Sequence, residues 1–478
     1  MLFNSIQFII FFVVVTSLYF IIPHKFRWLL LLLASCYFYM AFVPIYICIL
    51  GFTIVVDYFA GIYIDRSAGR KRKWFLVASL VANIGVLAFF KYFNFFNQNI
   101  TELLSRFGLP NHIPYLSILL PIGLSFHTFQ AMSYTIEVYR GNQKPETHFG
   151  IYALYVMFYP QLVAGPIERP QNVLHQFYEK HEINYDDFSN GFRLILWGFF
   201  KKIVIADRLA LFVNVVYRDA FMSNSSTLIL ATIYFAIQIY CDFSGYSDIA
   251  LGTARIMGFK LMTNFNRPYF ATSVSGFWRR WHISLTTWFT DYLYISMGGS
   301  RVSIPRWYFN LLFVFLVSGL WHGANWTFVI WGGLNGVYLI AAIMFRPVTN
   351  LYKDTVIHNK LLKYTWHLAK TIFTFILIGF SWIFFRANSL DHAFLIIRRI
   401  FTVHGKLSFN NDYTLLVYPF IGMLTLLIFE IDQERNHGVS SFFNNKSPVI
   451  RMASYCFVAL IILLIGVYDG GQFIYFQF

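Results

Sequence analysis

Charge is what this sequence has least of. Only 12% of its 478 residues are Asp, Glu, Lys or Arg, where soluble domains carry about 25%. With 58% apolar residues and a mean hydropathy of +0.56, no soluble fold of this length could hide so much apolar surface, so most of the chain faces lipid or a membrane-embedded interior. Cysteine is scarce too. Cys36, Cys48, Cys241 and Cys456 all lie in or beside apolar runs, and no C-x-x-C spacing occurs, which excludes a disulfide scaffold and a cysteine-based metal site; they read as small packing residues. No internal repeat is visible, so the inverted-repeat signature of many secondary transporters is missing. Long polar stretches are also absent, Glu168–Ser189 being among the longest, and the chain reads as a single membrane-embedded domain over residues 1–478.

What is present in excess is aromatic surface and positive charge. Phe, Tyr and Trp make up 21% of the chain, more than interfacial belts require, so many fill spaces between helices or line an apolar tunnel. The formal charge is +15, but the basic residues cluster between apolar runs: "HKFR" at 24–27, "RSAGRKRK" at 66–73, and the stretch from Lys353 to Lys370. That is the pattern of cytoplasmic loops. It points to anionic lipid headgroups or an anionic substrate such as a nucleotide-bearing acyl donor, and away from nucleic acid.

A helical span needs about 20 apolar residues. Segments of that kind fall near 5–22, 28–43, 44–64, 74–96, 114–139, 150–166, 190–216, 227–250, 309–345 (too long for one span), 363–386, 413–431 and 450–469. Together they predict an all-α polytopic membrane protein with 11–13 membrane segments, some of them re-entrant. Pro44 marks a turn between the second and third. The first segment, Ser5–Ile22, has no basic residue before it and no small-residue cleavage site, and so reads as a retained span rather than a signal peptide, with His24–Arg27 in the cytoplasm. Two further segments read as interfacial. Ser389 is placed to cap a helix with Leu390, Ala393, Phe394, Ile397, Ile400 and Phe401 on one side. In "SGFWRRWHISLTTWFTDYLYI" (Ser275–Ile295) an aromatic stripe opposes a polar one, the signature of a membrane-surface helix.

Ionisable groups at lipid depth cost roughly 2.5–3.5 kcal/mol on insertion scales and are functional candidates by default. Here they are Asp57, Glu137, Asp242, Asp248, His282, His322, Glu430 and Asp469. Asp57, Glu430 and Asp469 sit near span ends, where water or a basic partner can satisfy them. Glu137 has Arg140 three residues on, in reach of a local ion pair, and Asp248 has Arg255 two turns on. His322 stands alone in a run from Phe309 to Phe345 without one formal charge. It has a structural reading, a core histidine bonded to a carbonyl, and a chemical one, a general base. No H-E-x-x-H or His/Cys cluster accompanies it, which argues against a metal ligand. Gly319 and Gly323 flank it, Trp321 and Trp326 supply apolar walls, and Asn325 is placed to orient a ring nitrogen. A neutral imidazole so held can accept a hydroxyl proton, a contribution of about 10²–10⁴ in rate. Ser318, four residues earlier, completes a Ser–His pair in principle, but no carboxylate lies near in sequence to hold the ring.

Four segments, "DFSGYSDIALG", "FWRRWHISLTTWFTDYLYI", "SGLWHGANWTFVIWG" and the closing "FIYFQF", together resemble the membrane-bound O-acyltransferase family, and most closely its bacterial branch of alginate O-acetylases, peptidoglycan O-acetyltransferases and lipoteichoic acid D-alanylation proteins. The resemblance runs over essentially the whole chain. It implies helices surrounding a central tunnel, with an acyl-CoA or carrier-bound donor (acetyl-CoA for an acetylase) entering from the cytoplasm as co-substrate, no bound cofactor, and the acceptor arriving from the other face. It implies that His322 is catalytic, with His282 as the second polar residue. It also implies substrate contacts from Asn264, Arg267, Arg279, Arg280, Asp248, Trp278, Trp281, Trp321 and Asn325, residence in the bacterial inner membrane among its lipids, and an extracytoplasmic partner of acyltransferase or esterase type that completes polysaccharide acetylation. D-alanyl transfer to teichoic acid is the alternative within the family; a proton-coupled transporter or flippase is the alternative outside it.

Overall fold

The computed structural model describes residues 1–117, 121, 123–163, 165–345, 360–408, 412–468 and 473. Asp469, Lys353 and residues 474–478 of the closing aromatic motif lie outside them. Among the described residues the chain is helical throughout, without strands, and eight helices are long and apolar enough to cross a membrane: Tyr46–Arg66, Gly69–Arg106, Ser225–Ile256, Ile304–His322, Trp326–Met344, Leu362–Arg386, Thr414–Arg435 and Pro448–Ile465. At 1.5 Å per residue, each reaches across all or most of a hydrocarbon layer about 30 Å thick. Their outer faces carry exposed aliphatic side chains, Leu463 and Leu464 among them, which only a lipid solvent tolerates in such numbers.

The count is smaller than hydropathy alone gives, because apolar composition does not ensure a continuous helix. Segment 150–166 breaks at Phe158, ahead of Pro160, into helices Phe149–Met157 and Tyr159–Leu162. Segment 190–216 is helical but carries Arg193, Lys201, Lys202, Asp207 and Arg208, too many charges for a simple span, and the first segment forms a helix of 16 residues, Ile6–Ile21. The long run 309–345 resolves into two spans joined at Gly323–Asn325. Their close approach depends on Gly319, where a Cβ would collide with the Phe328 carbonyl; small residues let membrane helices touch backbone to backbone.

The chain divides into two compact units, one of residues 1–195 and 247–262, the other of residues 196–246 and 263–478. In the first, Asp57 is not at a span end as expected but halfway along Tyr46–Arg66 and fully buried. Its carboxylate accepts hydrogen bonds from Ser79 Oγ (2.6 Å) and Asn83 Nδ2 (2.9 Å) on the next helix, polar glue of the kind membrane helices use. Glu137 pairs with Arg140 as its spacing anticipates (3.4 Å), and also accepts from Asn142 and Gln171. Arg255 does not pair with Asp248; it reaches Asp187 at 3.2 Å. In the second unit, a core of Trp197, Phe200, Phe235, Trp281, Trp331, Trp382 and Phe385 with many smaller side chains surrounds the candidate site. Ser389 caps the Leu390–Thr402 helix through His392 N (3.1 Å) as expected.

Candidate active site

The segment Ser275–Ile295 is not one surface helix. It forms two short helices, Val274–Trp278 and Ile283–Phe289, separated at His282, whose backbone is left-handed (φ 43°). A non-glycine residue there costs of order 1–3 kcal/mol, so the surroundings must impose it. Two main-chain hydrogen bonds do this: Asn266 N to Arg280 O (2.9 Å) and Ile283 N to Asn264 O (2.8 Å) lay residues 264–266 against residues 280–283. The break turns the aromatic stripe inward. Phe277, Trp278, Trp281, Leu285 and Trp288 are buried, and Trp281 packs against Phe265 and Trp382. A periodic stripe cannot distinguish a lipid-facing side from a core-facing one; tertiary contacts choose the core here.

His282 is 1% exposed, its ring set edge-on to Phe243 at 4.6 Å. Its Nδ1 lies 3.2 Å from Asn264 Oδ1, which also accepts from the Ser284 backbone N–H (3.2 Å) and hydroxyl (2.9 Å). The Ser284 amide can only donate, so the Asn264 atom facing it is the oxygen. His282 Nδ1 must then carry the proton, which leaves Nε2 as the lone-pair nitrogen. His282 lies outside the eight spans, and burial pushes its pKa down to about 3; it is a neutral acceptor at working pH. Asn264, anticipated as a donor-binding loop residue, is instead the group that sets this tautomer.

His322 ends the Ile304–His322 helix, 5% exposed. Its ring is walled by Trp321 (4.9 Å between centroids), Trp331 (5.0 Å, perpendicular) and Phe385 (5.4 Å). Trp321 also reaches the His282 ring at 6.5 Å. Forty residues apart in sequence, the two imidazoles line one cavity together with Trp278, Trp281, Leu285, Thr286, Phe289, Thr290, Val314, Phe315 and Ser318. At ≈ 70 Å³ the cavity is far below the 300–1,000 Å³ of drug-sized ligand pockets, and it holds about five water-sized groups.

Asn325, Arg267, Arg280, Arg279 and Asp248 are not among the residues lining this cavity. Asn325 does not orient His322; its Oδ1 caps the next helix through Thr327 N (3.0 Å) and its Nδ2 donates to Asn388 O (3.0 Å). Arg267 and Arg280 converge on Glu434, at 2.8 and 2.9 Å. Arg279 is exposed and donates to Ser275 Oγ (3.2 Å). Asp248 belongs to the part of the Ser225–Ile256 helix that falls in the first unit and is half-buried. Two residues escaped the sequence reading. One is Glu434, the shared acceptor of Arg267 and Arg280. The other is Lys202, whose ammonium is fully buried between Asp207 and Asp242, 2.7 Å from each; a lysine within segment 190–216 is the available signal. Among the described residues no cluster of three or more His, Cys, Asp or Glu side chains is arranged to hold a metal.

Fold and site thus define a multi-pass helical membrane protein in which two buried histidines meet on one small cavity. Comparison with known proteins makes the class specific. The model of the membrane-bound O-acyltransferase family matches residues 146–385, a stretch that contains both histidines. The probable alginate O-acetylase AlgI of Pseudomonas aeruginosa is 38% identical over 84% of this chain and 75% of its own length. The peptidoglycan O-acetyltransferase of Helicobacter pylori is 35% identical over 78% and 74%. The teichoic acid D-alanyltransferase of Bacillus subtilis is 27% identical over 51% and 64%. The chain belongs to the membrane-bound O-acyltransferase family, and is a multi-pass bacterial membrane O-acyltransferase.

Proposed function

We propose that this protein moves an acetyl group from a cytoplasmic thioester donor, acetyl-CoA or a carrier-bound equivalent, across the inner membrane for O-acetylation of a cell-surface or extracellular polysaccharide of the alginate or peptidoglycan type. The observation that carries the reading is the meeting of His282 and His322 on a cavity of ≈ 70 Å³, room for a short acyl group and its reacting neighbours. Acetyl is favoured over D-alanyl because the acetylase relatives match at 34–38% over most of the chain, against 27% over about half of it for the D-alanyltransferase.

In this reading a lone pair on His322 takes the proton of an acceptor hydroxyl as its oxygen attacks the thioester carbonyl. The carbon–sulfur bond breaks, and the thiolate leaves with the proton from His322. His282, fixed by Asn264 with Nε2 as acceptor, holds the incoming hydroxyl in line, a role of geometry. Trp281 and Trp321 keep water out. Arg279, exposed, is the cation available to donor phosphates, Arg267 and Arg280 being paired with Glu434. The chain acts as one membrane-embedded acyltransferase domain and passes the acetyl group to an extracytoplasmic partner enzyme.

The test is reconstitution with labelled acetyl-CoA, comparing wild type, His322→Ala and His282→Ala. Loss of CoA release by about 10²–10⁴-fold in His322→Ala is expected; a folded His322→Ala that releases CoA at the wild-type rate refutes the base. D-alanyl thioester used in preference to acetyl would move the donor assignment, and substrate movement across sealed vesicles without acyl transfer would favour a transporter.

A further inference from the structure

The cavity that holds the two histidines has almost no hydrogen-bond donors to spare. Attack on a thioester drives charge onto the carbonyl oxygen, and stabilising that oxyanion is commonly the largest single contribution to acyl-transfer rates. Thr286 donates its hydroxyl to Trp281 O (3.1 Å) and Thr290 to Thr286 O (2.8 Å). His282 spends its N–H on Asn264, and His322 is needed as base. The other polar groups on the lining residues are the Ser318 hydroxyl and the indole N–H groups of Trp278 and Trp281; of the two indoles, Trp278 is the one whose buried Nε1 has no hydrogen-bond partner among the described residues.

Trp278 closes the Val274–Trp278 helix and is 9% exposed. Its ring is held edge-on by Phe315 (5.3 Å) and Trp331 (5.7 Å), and Trp331 in turn stands 5.0 Å from the His322 ring. The indole Nε1 is buried and has no hydrogen-bond partner among the described residues. A buried N–H without an acceptor is unfavourable and rarely kept without reason. Trp331 and Trp382 also carry buried indole N–H groups without an acceptor among the described residues, but neither residue lines the cavity, whereas Trp278 does.

We propose that the Trp278 N–H is the oxyanion donor of this enzyme. The proposal rests on the acyl-transfer reading above. As the acceptor oxygen forms its bond to the carbonyl carbon, the π electrons of the C=O move to oxygen, and the Trp278 N–H donates to that oxygen. When the electrons return, the carbon–sulfur bond breaks and the donor leaves as thiol with the proton held by His322. Because the carbonyl oxygen carries little charge before attack, the bond matters in the transition state and hardly in donor binding.

The experiment replaces residue 278 by 3-benzothienylalanine, which keeps the bicyclic shape and puts sulfur where the N–H was, in the full-length protein in lipid nanodiscs. Trp278→Phe and Ser318→Ala are run in parallel, with labelled acetyl-CoA as donor and thermal unfolding as the fold control. We expect kcat to fall about 10²-fold in the isostere, with KM for acetyl-CoA and the unfolding temperature unchanged; Trp278→Phe follows in kcat. If the isostere keeps wild-type kcat while His322→Ala is inactive, the oxyanion assignment is wrong and the base assignment stands; if Ser318→Ala alone collapses kcat, serine is the donor. A fully active His322→Ala overturns both readings.

Discussion

Asn264 is the residue where a small change should be most informative. Its Oδ1 accepts from three donors, His282 Nδ1 (3.2 Å), Ser284 N (3.2 Å) and Ser284 Oγ (2.9 Å), all on residues no more than 1% exposed. Asn264→Ala removes the acceptor and strands these donors. An unsatisfied buried donor costs about 1–3 kcal/mol, and neighbouring losses do not add fully, so a destabilisation of roughly 3–5 kcal/mol is expected. The rate should fall further than the stability suggests, because His282 becomes free to take the other tautomer; where a catalytic histidine elsewhere is left in the wrong tautomer, the loss is about 10⁴-fold. Asn264→Asp separates these effects. A carboxylate keeps the acceptor but adds a charge beside an imidazole that burial otherwise keeps neutral, and so raises the His282 pKa. Acetyl transfer by wild type should vary little with His282 ionisation between pH 5 and 9, its pKa lying near 3. Asn264→Asp should instead be inactive at the acid end and recover as pH rises through the new pKa. The assay is CoA release in nanodiscs across that range, with thermal unfolding in parallel. A wild-type rate in folded Asn264→Ala, or an unchanged pH profile in Asn264→Asp, would refute the tautomer argument.

Further outcomes follow from the same geometry. Because His282 has a folded pKa near 3 against an ordinary value of about 6.5, the unfolded chain binds the extra proton between those pH values, so the histidine removes stability as pH falls below about 6.5. The slope is about 1.4 kcal/mol per pH unit, or roughly 2 kcal/mol by pH 5; unfolding of His282→Asn in detergent should lack this increment of acid sensitivity. Lys202→Met leaves Asp207 and Asp242 facing each other in the core, and by analogy with other broken buried pairs it should cost about 3–5 kcal/mol, read as a lowered unfolding temperature, whereas Lys202→Met combined with Asp207→Asn and Asp242→Asn should recover part of it. Ser318→Ala should keep CoA release within about tenfold of wild type, with no acyl-serine found by mass spectrometry of quenched wild type, since transfer directly to the acceptor needs no serine relay.

Composition and pattern alone determined the solvent and the helical class and set His322 apart, whereas His282 stands out from the other ionisable groups only through the family resemblance. Low charge and long apolar runs leave a chain no option but lipid, and an uncharged stretch from Phe309 to Phe345 isolates His322 as a group whose presence requires a cause. Capping chemistry is local, so Ser389 was legible as a helix start. What the sequence could not decide was anything that depends on partners distant in the chain. Asp57, near a span end by hydropathy, is a buried knot with Ser79 and Asn83; Arg255, two turns from Asp248 in sequence, pairs with Asp187. Arg267 and Arg280 were free cations until Glu434, more than 150 residues later, was brought against them. The stripe of Ser275–Ile295 has helical periodicity, but hydrogen bonds from residues 264–266 break it at His282 and turn its aromatic side inward. Side-chain type and spacing fix which groups can ionise and which faces are apolar, whereas the acceptor for each buried donor, and hence which nitrogen of His282 carries the proton, is supplied only by tertiary contact.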